Sequence, residues 1–242
     1  MAVMKKEMNY FVQTRDVDSQ DHMKPAPILD IFQDIAGLHA DEIGVGYLDF
    51  KKNNLAWVVL YQKIEIVKAP PYLENVLIST WPKPKGRLDF EREYLMCSLD
   101  GQHLIHGISL WVVMDLNTRS LVRADKINYN GEYFDNCLYS EKQKRKLGLD
   151  KSLIDYEFWY EVTLDDLDHN GHMNNAKYLT IIYNHSDLYK NNKTIEQFEI
   201  SYSKEAKYND KIKIGRYKLE NKEAFMGFIA DELCFECLIG EK

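Results

Sequence analysis

The apolar positions of this chain fall into strand-like and helix-like runs, and the order of the runs occurs twice. Tyr10 to Thr14 reads as a short strand and Arg15 to Lys24 as a polar loop. Pro25 and Pro27 then open a stripe at helical spacing. Ile28, Leu29, Ile31, Phe32, Ile35, Ala36, Leu38 and His39 carry it, and Gly44 and Gly46 end it. Leu55 to Val67 is a strand broken by Ala69-Pro70-Pro71, and Val76 to Trp81 begins another. Leu88 to Ser98 and His103 to Asp115 flank the hairpin signal Asp100-Gly101, with a further turn at Leu116 to Ser120. From Phe158 the order returns: a strand to Thr163, a polar loop, then one helix through Tyr178, Leu179, Ile181, Ile182, His185, Leu188 and Tyr189. Phe198 to Tyr202, Lys211 to Leu219, Ala224 to Ala230 and Leu233 to Ile239 complete it as strands.

Residues as well as elements repeat. At a shift of 150 positions, Tyr10, Val12, Asp16, Asp18, His22, Met23, Ala26, Leu29 and Ile31 meet identical residues from Tyr160 to Ile181. Further on the shift shortens, and Glu74-Asn75-Val76 resembles Asp210-Lys211-Ile212. A period this long means two fused domains rather than a solenoid. One helix followed by antiparallel strands has a simple solution: the sheet curls around the helix and buries its apolar stripe, an α+β arrangement. The expected spans are 1–135 for the first domain, 136–155 for a linker and 156–242 for the second. The charge run Glu141 to Lys146 reads as a solvated linker or short helix.

Composition narrows the function. A formal net charge of −7 argues against general nucleic-acid binding. Cys97, Cys137, Cys234 and Cys237 form no disulfide framework, and the lone Cys234-x-x-Cys237 sits in an apolar strand-like run that reads as packing. The N-terminal residues have two lysines but no apolar segment behind them, and no run has the length to span a membrane. The expectation is a cytoplasmic protein with no membrane association.

The second polar loop concentrates chemistry. Asp168, Asn170 and His172 alternate at a spacing of two, so an extended segment points all three the same way. Asn174 or Asn175 then caps the helix, beside backbone N–H groups that favour developing negative charge. The first unit matches only part of this, with Gln20 facing Asn170 and Lys24-Pro25 facing Asn174-Asn175. Glu205 faces Ala69. Should Glu205 lie near His172, only the second unit holds carboxylate, amide and imidazole together, and the first is left to shape a pocket. His169 and His172 are not read as metal ligands, since their spacing helps only on a helix.

These residues also carry a resemblance. Asp168-His169-Asn170-Gly171-His172-Met173-Asn174-Asn175-Ala176-Lys177-Tyr178 resembles the signature of the acyl-acyl carrier protein thioesterases, which opens the helix of their second hotdog domain. Asn54 to Val59 is similar to the family's first-domain strand, and Gly107 to Arg119 to its Trp-Val-Met-Met hairpin. The resemblance implies two tandem hotdog domains, each a long helix wrapped by an antiparallel sheet, that hydrolyse a fatty acyl thioester on acyl carrier protein without a cofactor or metal. It assigns catalysis to Asp168, Asn170, His172 and Glu205, with either Glu205 or His172 as the base. Plant members often carry Cys after that Glu; Ala206 here removes a cysteine nucleophile and leaves water to attack. The oxyanion is expected at backbone N–H groups of the helix start, with Asn170 as a further donor. Ile28, Phe32, Trp57 and Val59 are the candidates for the acyl pocket. The acidic carrier protein needs a basic patch, from Lys142, Lys144, Arg145 and Lys146 or from Lys83, Lys85 and Arg87. Exposed sheet edges leave room for a homodimer. The rivals are an acyl-CoA thioesterase and a non-catalytic acyl-binding protein.

Overall fold

The computed structural model describes residues 3–191, 193 and 195–241. The outer limits of the expected spans, residues 1 and 242, lie outside them. The chain divides into two compact units, Met1–Gln143 and Lys144–Lys242.

In the first unit β1 (Val3–Met4) and β2 (Lys6–Phe11) lead to α1 (Pro25–Glu42) and α2 (Tyr47–Lys52). Then come β3 (Leu55–Ile66), β4 (Asn75–Pro82), β5 (Asp89–Ser98), β6 (His103–Asp115), β7 (Ser120–Val122) and β8 (Glu132–Tyr133). The sheet order is β2-β4-β5-β6-β3, with β7 on β6 and β1 paired separately to β8. Pro25 stands in the first turn of α1, where its missing N–H costs nothing. Ile28, Leu29, Ile31, Phe32, Ile35, Ala36 and His39 recur every three or four residues and are all buried. Phe32 stacks on Tyr94 of β5 at 4.8 Å. That approach needs a strand without a side chain beside it: a Cβ at Gly107 of β6 would stand 2.7 Å from the Phe32 ring.

The second unit repeats the scheme with β9 (Tyr156–Glu161), α3 (Asn175–His185), α4 (Asp187–Lys190), β10 (Gln197–Tyr202), β11 (Lys211–Lys218), β12 (Lys222–Ile229) and β13 (Glu232–Gly240). Its order is β9-β11-β12-β13-β10, the same path. The face of α3 that carries Ala176, Tyr178, Leu179, Ile181 and Ile182 is buried. Among the described residues no helix is long and apolar enough to cross a membrane.

Several boundaries differ from the sequence expectation. β2 and β9 end at Phe11 and at Glu161, not at Thr14 and Thr163. Asp16 and Asp166 accept the N–H groups of Gln13 and Thr163, and this curls the chain into a 3-10 turn. The second-unit helix does not run unbroken to Tyr189. Ser186 leaves helical geometry at ψ 130°, caps α4 through Tyr189 N–H, and donates its hydroxyl to the buried Glu223. Helix α2 was not anticipated; it buries only Phe50, against Trp57 at 5.0 Å.

The charge run Glu141 to Lys146 is neither helical nor merely solvated. Asp89, Glu91 and Glu93 share one face of β5 by their spacing of two. Glu93, fully buried, accepts from Leu138 N–H at 2.9 Å and Tyr139 N–H at 3.0 Å; Glu91 accepts from Gln143 N–H at 2.8 Å; and Asp89 pairs with Lys142 at 2.8 Å. Beyond the boundary, Glu236 of β13 takes Leu147 N–H and Leu149 N–H.

His39 sits in the core of the first unit, its Nδ1 receiving Arg92 Nη1 at 2.9 Å. Burial first, and the Arg92 guanidinium second, hold its pKa down at about 4. The unfolded chain therefore binds a proton near pH 6.5 that the folded chain refuses until about pH 4. Stability is complete above the unfolded value and falls as pH drops toward the folded one. We expect urea unfolding at about pH 7.5 and about pH 5 to show this group's loss, roughly 2 kcal/mol. In His39→Gln that share of the difference between the two pH values disappears.

Candidate active site

The second-unit loop is built on one buried carboxylate. Asp166 Oδ2 receives Tyr160 Oη, Thr163 N–H and Thr163 Oγ1, each at 2.8 Å, while the Asp166 carbonyl takes Asn174 N–H at 2.8 Å. Burial, then the bond to Asp166, pushes the Tyr160 hydroxyl up to about 12, so it stays a donor at neutral pH. Between these anchors Leu167 and Met173 pair as an isolated antiparallel bridge. The turn they close is held by Asp168, whose Oδ1 accepts Asn170 N–H at 2.8 Å and His172 N–H at 3.2 Å. Its Oδ2 lies 3.4 Å from the Asn170 amide nitrogen. Asp168 thus orients Asn170 and the turn, and its hydrogen bonds reach the His172 backbone rather than the imidazole. The chain reverses at Gly171, at φ +77°. Of the two expected caps, Asn174 or Asn175, it is Asn174 that receives Ala176 N–H at 2.8 Å and starts α3.

Glu205 comes from the segment after β10. Ser203 N–H and Lys204 N–H both donate to the Cys234 carbonyl, at 2.8 and 3.2 Å, and Met173 N–H donates to the Ala206 carbonyl at 2.8 Å. Those bonds bring the segment against the loop, and Glu205 Oε2 stands 3.1 Å from His172 Nε2. The side chains are 46% and 29% exposed, so the pair can be reached from solvent. The sequence-predicted set Asp168, Asn170, His172 and Glu205 is therefore contiguous, linked through Asp168 on one side and the His172–Glu205 contact on the other.

The first unit keeps the frame and lacks the acid. Asp16 receives Tyr10 Oη at 2.7 Å, and Asp18 accepts Gln20 N–H at 2.8 Å and His22 N–H at 3.1 Å. Asp21 occupies the left-handed turn position at φ 61°. Val12 N–H bonds the Glu74 carbonyl as Val162 N–H bonds that of Asp210, which fixes the local shift at 136 and sets Ala69 opposite Glu205.

The expected oxyanion donors are largely spent. The N–H groups of Asn170, Gly171, His172, Met173, Asn174, Ala176 and Lys177 all bond to acceptors within the unit. The Asn170 amide has a second N–H beyond the one facing Asp168, so it is the better candidate. Of the acyl-pocket candidates, Ile28, Phe32 and Val59 are buried in their own unit. Trp57 is half-buried, donates to the Val45 carbonyl at 2.8 Å and meets Phe90 edge-on at 4.9 Å. Phe32 and Trp57 thus belong to different aromatic contacts. The proposed basic patches are partly consumed: Lys83 pairs with Glu91 at 3.0 Å, Lys85 donates to the Ile127 carbonyl at 2.6 Å, and Lys142 holds Asp89. Cys234 and Cys237 are both fully buried. Among the described residues no group of three or more His, Cys, Asp or Glu is placed to hold a metal ion.

Residues 4–129 match the family model of the acyl-ACP thioesterase N-terminal domain, and residues 154–230 match that of the C-terminal domain. The chain belongs to the acyl-ACP thioesterase family. Oleoyl-acyl carrier protein thioesterase 1 of Arabidopsis thaliana, a chloroplastic protein, is 27% identical over 70% of this chain and 51% of its own length. The chloroplastic palmitoyl-acyl carrier protein thioesterase of the same plant is 32% identical over 60% of this chain and 36% of its own. The chain spans about half or less of the length of these relatives. The crystal structure of an acyl-ACP thioesterase from Bacteroides thetaiotaomicron superposes with a TM-score of 0.86 at 19% identity, covering 98% of this chain and 97% of the other. That likeness establishes the fold, the tandem hotdog expected of the family. Within this acyl-ACP thioesterase fold, the His172–Glu205 contact lies in the unit that matches the C-terminal model.

The turn at Gly171 makes a test of the loop frame. No atom would lie within 4 Å of an added Cβ, so the cost of a side chain there is the left-handed backbone alone. Gly171→Val should lose roughly 1–2 kcal/mol in urea unfolding. Gly171→Asn should lose less than half of that, as the first unit's Asp21 already tolerates the same conformation.

Proposed function

We propose that this chain hydrolyses the thioester of a fatty acyl group carried on acyl carrier protein, with Asp168, Asn170, His172 and Glu205 as its catalytic residues. The observation that carries the reading is the 3.1 Å contact between His172 Nε2 and Glu205 Oε2, half-exposed and framed by a loop with the family's motif. Family membership and the naming of its relatives as acyl carrier protein thioesterases support the substrate class.

In this reading water is the nucleophile. With Glu205 ionised, His172 donates through Nε2 and holds the carboxylate in place, and the second oxygen of Glu205 takes the proton of the water that attacks the carbonyl. The Asn170 amide N–H, turned by Asp168, meets the oxyanion of the tetrahedral intermediate. Collapse breaks the carbon–sulfur bond, and the departing thiolate recovers a proton from Glu205. Fatty acid and carrier thiol result. Asp168 has a supporting part, since it fixes the amide and the turn.

A steady-state panel of acyl-carrier-protein and acyl-CoA thioesters of varied length tests substrate and carrier together. Turnover faster on the carrier protein than on CoA at equal acyl length is the expected outcome, and the reverse preference would reassign the enzyme to acyl-CoA. Glu205→Gln and His172→Ala should each lower kcat by about 10²–10⁴-fold, with urea midpoints near that of the parent. Tight acyl binding without turnover in the parent would turn the protein into a binding module. Near-parental hydrolysis by either variant would remove the pair from the reaction.

A further inference from the structure

The backbone clamp that holds the Glu205 segment occurs in both units, but what surrounds it does not. In the second unit Ser203 N–H and Lys204 N–H converge on the Cys234 carbonyl; in the first, Val67 N–H and Lys68 N–H converge on that of Leu104. The correspondence pairs Cys234 with Leu104. The 150-residue shift pairs Tyr178 with Ile28, and the 136-residue shift pairs Ala206 with Pro70. Every second-unit member can donate a hydrogen bond there: a phenol, a thiol and a backbone N–H. Their counterparts cannot, since Ile28 and Leu104 have apolar side chains and Pro70 lacks an N–H.

The phenol and the thiol form a chain with one direction. The Cys234 thiol donates to the Lys204 carbonyl at 3.1 Å, and a carbonyl can only accept. The Tyr178 hydroxyl, 3.8 Å from Cys234 Sγ, is then the donor to sulfur. Ala206 and Cys234 are fully buried and Tyr178 is nearly so, which leaves little room for water to substitute for any link. The Tyr178 ring is packed edge-on against Tyr202 at 5.5 Å and Phe235 at 5.1 Å, so its hydroxyl has one position.

The chain ends on the Lys204 carbonyl, which belongs to the peptide group preceding the Glu205 Cα. We propose that Tyr178 and Cys234 are positioning residues for Glu205: their hydrogen-bond relay fixes the peptide that precedes it and so aims the carboxylate at His172. The relay exists in the unit that has the acid and is replaced by apolar groups in the unit that has Ala69 instead. It rests on the reading of Glu205 as a catalytic group.

Tyr178→Phe keeps the ring and removes the hydroxyl. We expect kcat on acyl carrier protein thioesters to fall about tenfold, KM to stay within about twofold, and the urea midpoint to move little, because a misaimed base slows chemistry more than binding. Cys234→Ala should match it, while Cys234→Ser, which keeps a donor, should recover most of the rate. In a Glu205→Gln background Tyr178→Phe should add less than about a twofold further loss, since the two changes act on one group. A normal kcat in Tyr178→Phe and Cys234→Ala beside an inactive Glu205→Gln would overturn the relay alone. So would an undiminished tenfold loss from Tyr178→Phe in the Glu205→Gln background. Wild-type turnover by Glu205→Gln would overturn the reading of the site, and the relay with it.

Discussion

Everything at the site depends on Asp166, a carboxylate with 5% of its surface exposed at the base of the loop. It gathers three donors on one oxygen, and its own carbonyl receives the N–H of the residue that caps α3. A buried carboxylate is tolerable only with such company, and breaking the set would leave a charge without compensation. The geometry is demanding because the charge is costly, so the strand end, the 3-10 turn and the helix start are locked to one another. Asp16 does the same work in the first unit. The candidate loop is therefore a small insertion between fixed points, and its side chains inherit the precision of the frame.

The two units show how a frame and its chemistry separate. Both keep the acid at the base, the turn held by Asp18 or Asp168, and the histidine after it. They part at the segment that leaves the third strand in chain order of the first unit and the second of its sister, where Ala69-Pro70 answers Glu205-Ala206. Proline there has no N–H, whereas Ala206 keeps one. A few residues thus distinguish the unit that holds the candidate site from the one that keeps only its frame.

Much of this could be read from the sequence, for physical reasons that differ from element to element. Helix α1 and the strands from β3 to β6 are long enough for their burial periods to show. The repeated Asp, His and Met stood out because the frame tolerates little change. Glu205 was accessible by comparing the copies and through the family resemblance, as nothing local marks an exposed acid after a strand. Helix α2 was invisible: six residues that bury one phenylalanine leave no period to detect. The break at Ser186 came from Glu223, a partner 37 residues away, and the spent N–H groups around His172 follow from acceptors such as the Ala206 carbonyl. Long-range partners of this kind have no local signature.

The segment joining the units is also less dispensable than a linker. Glu93 and Glu236 are buried carboxylates, and their backbone donors come from Leu138, Tyr139, Leu147 and Leu149. Those residues lie in neither helix nor strand, so a dissection guided by secondary structure would discard them. A fragment trimmed to its sheet and helix would keep the acid and lose the amides that solvate it. Each half of the molecule thus ends not where its regular structure ends but where its last buried charge is answered.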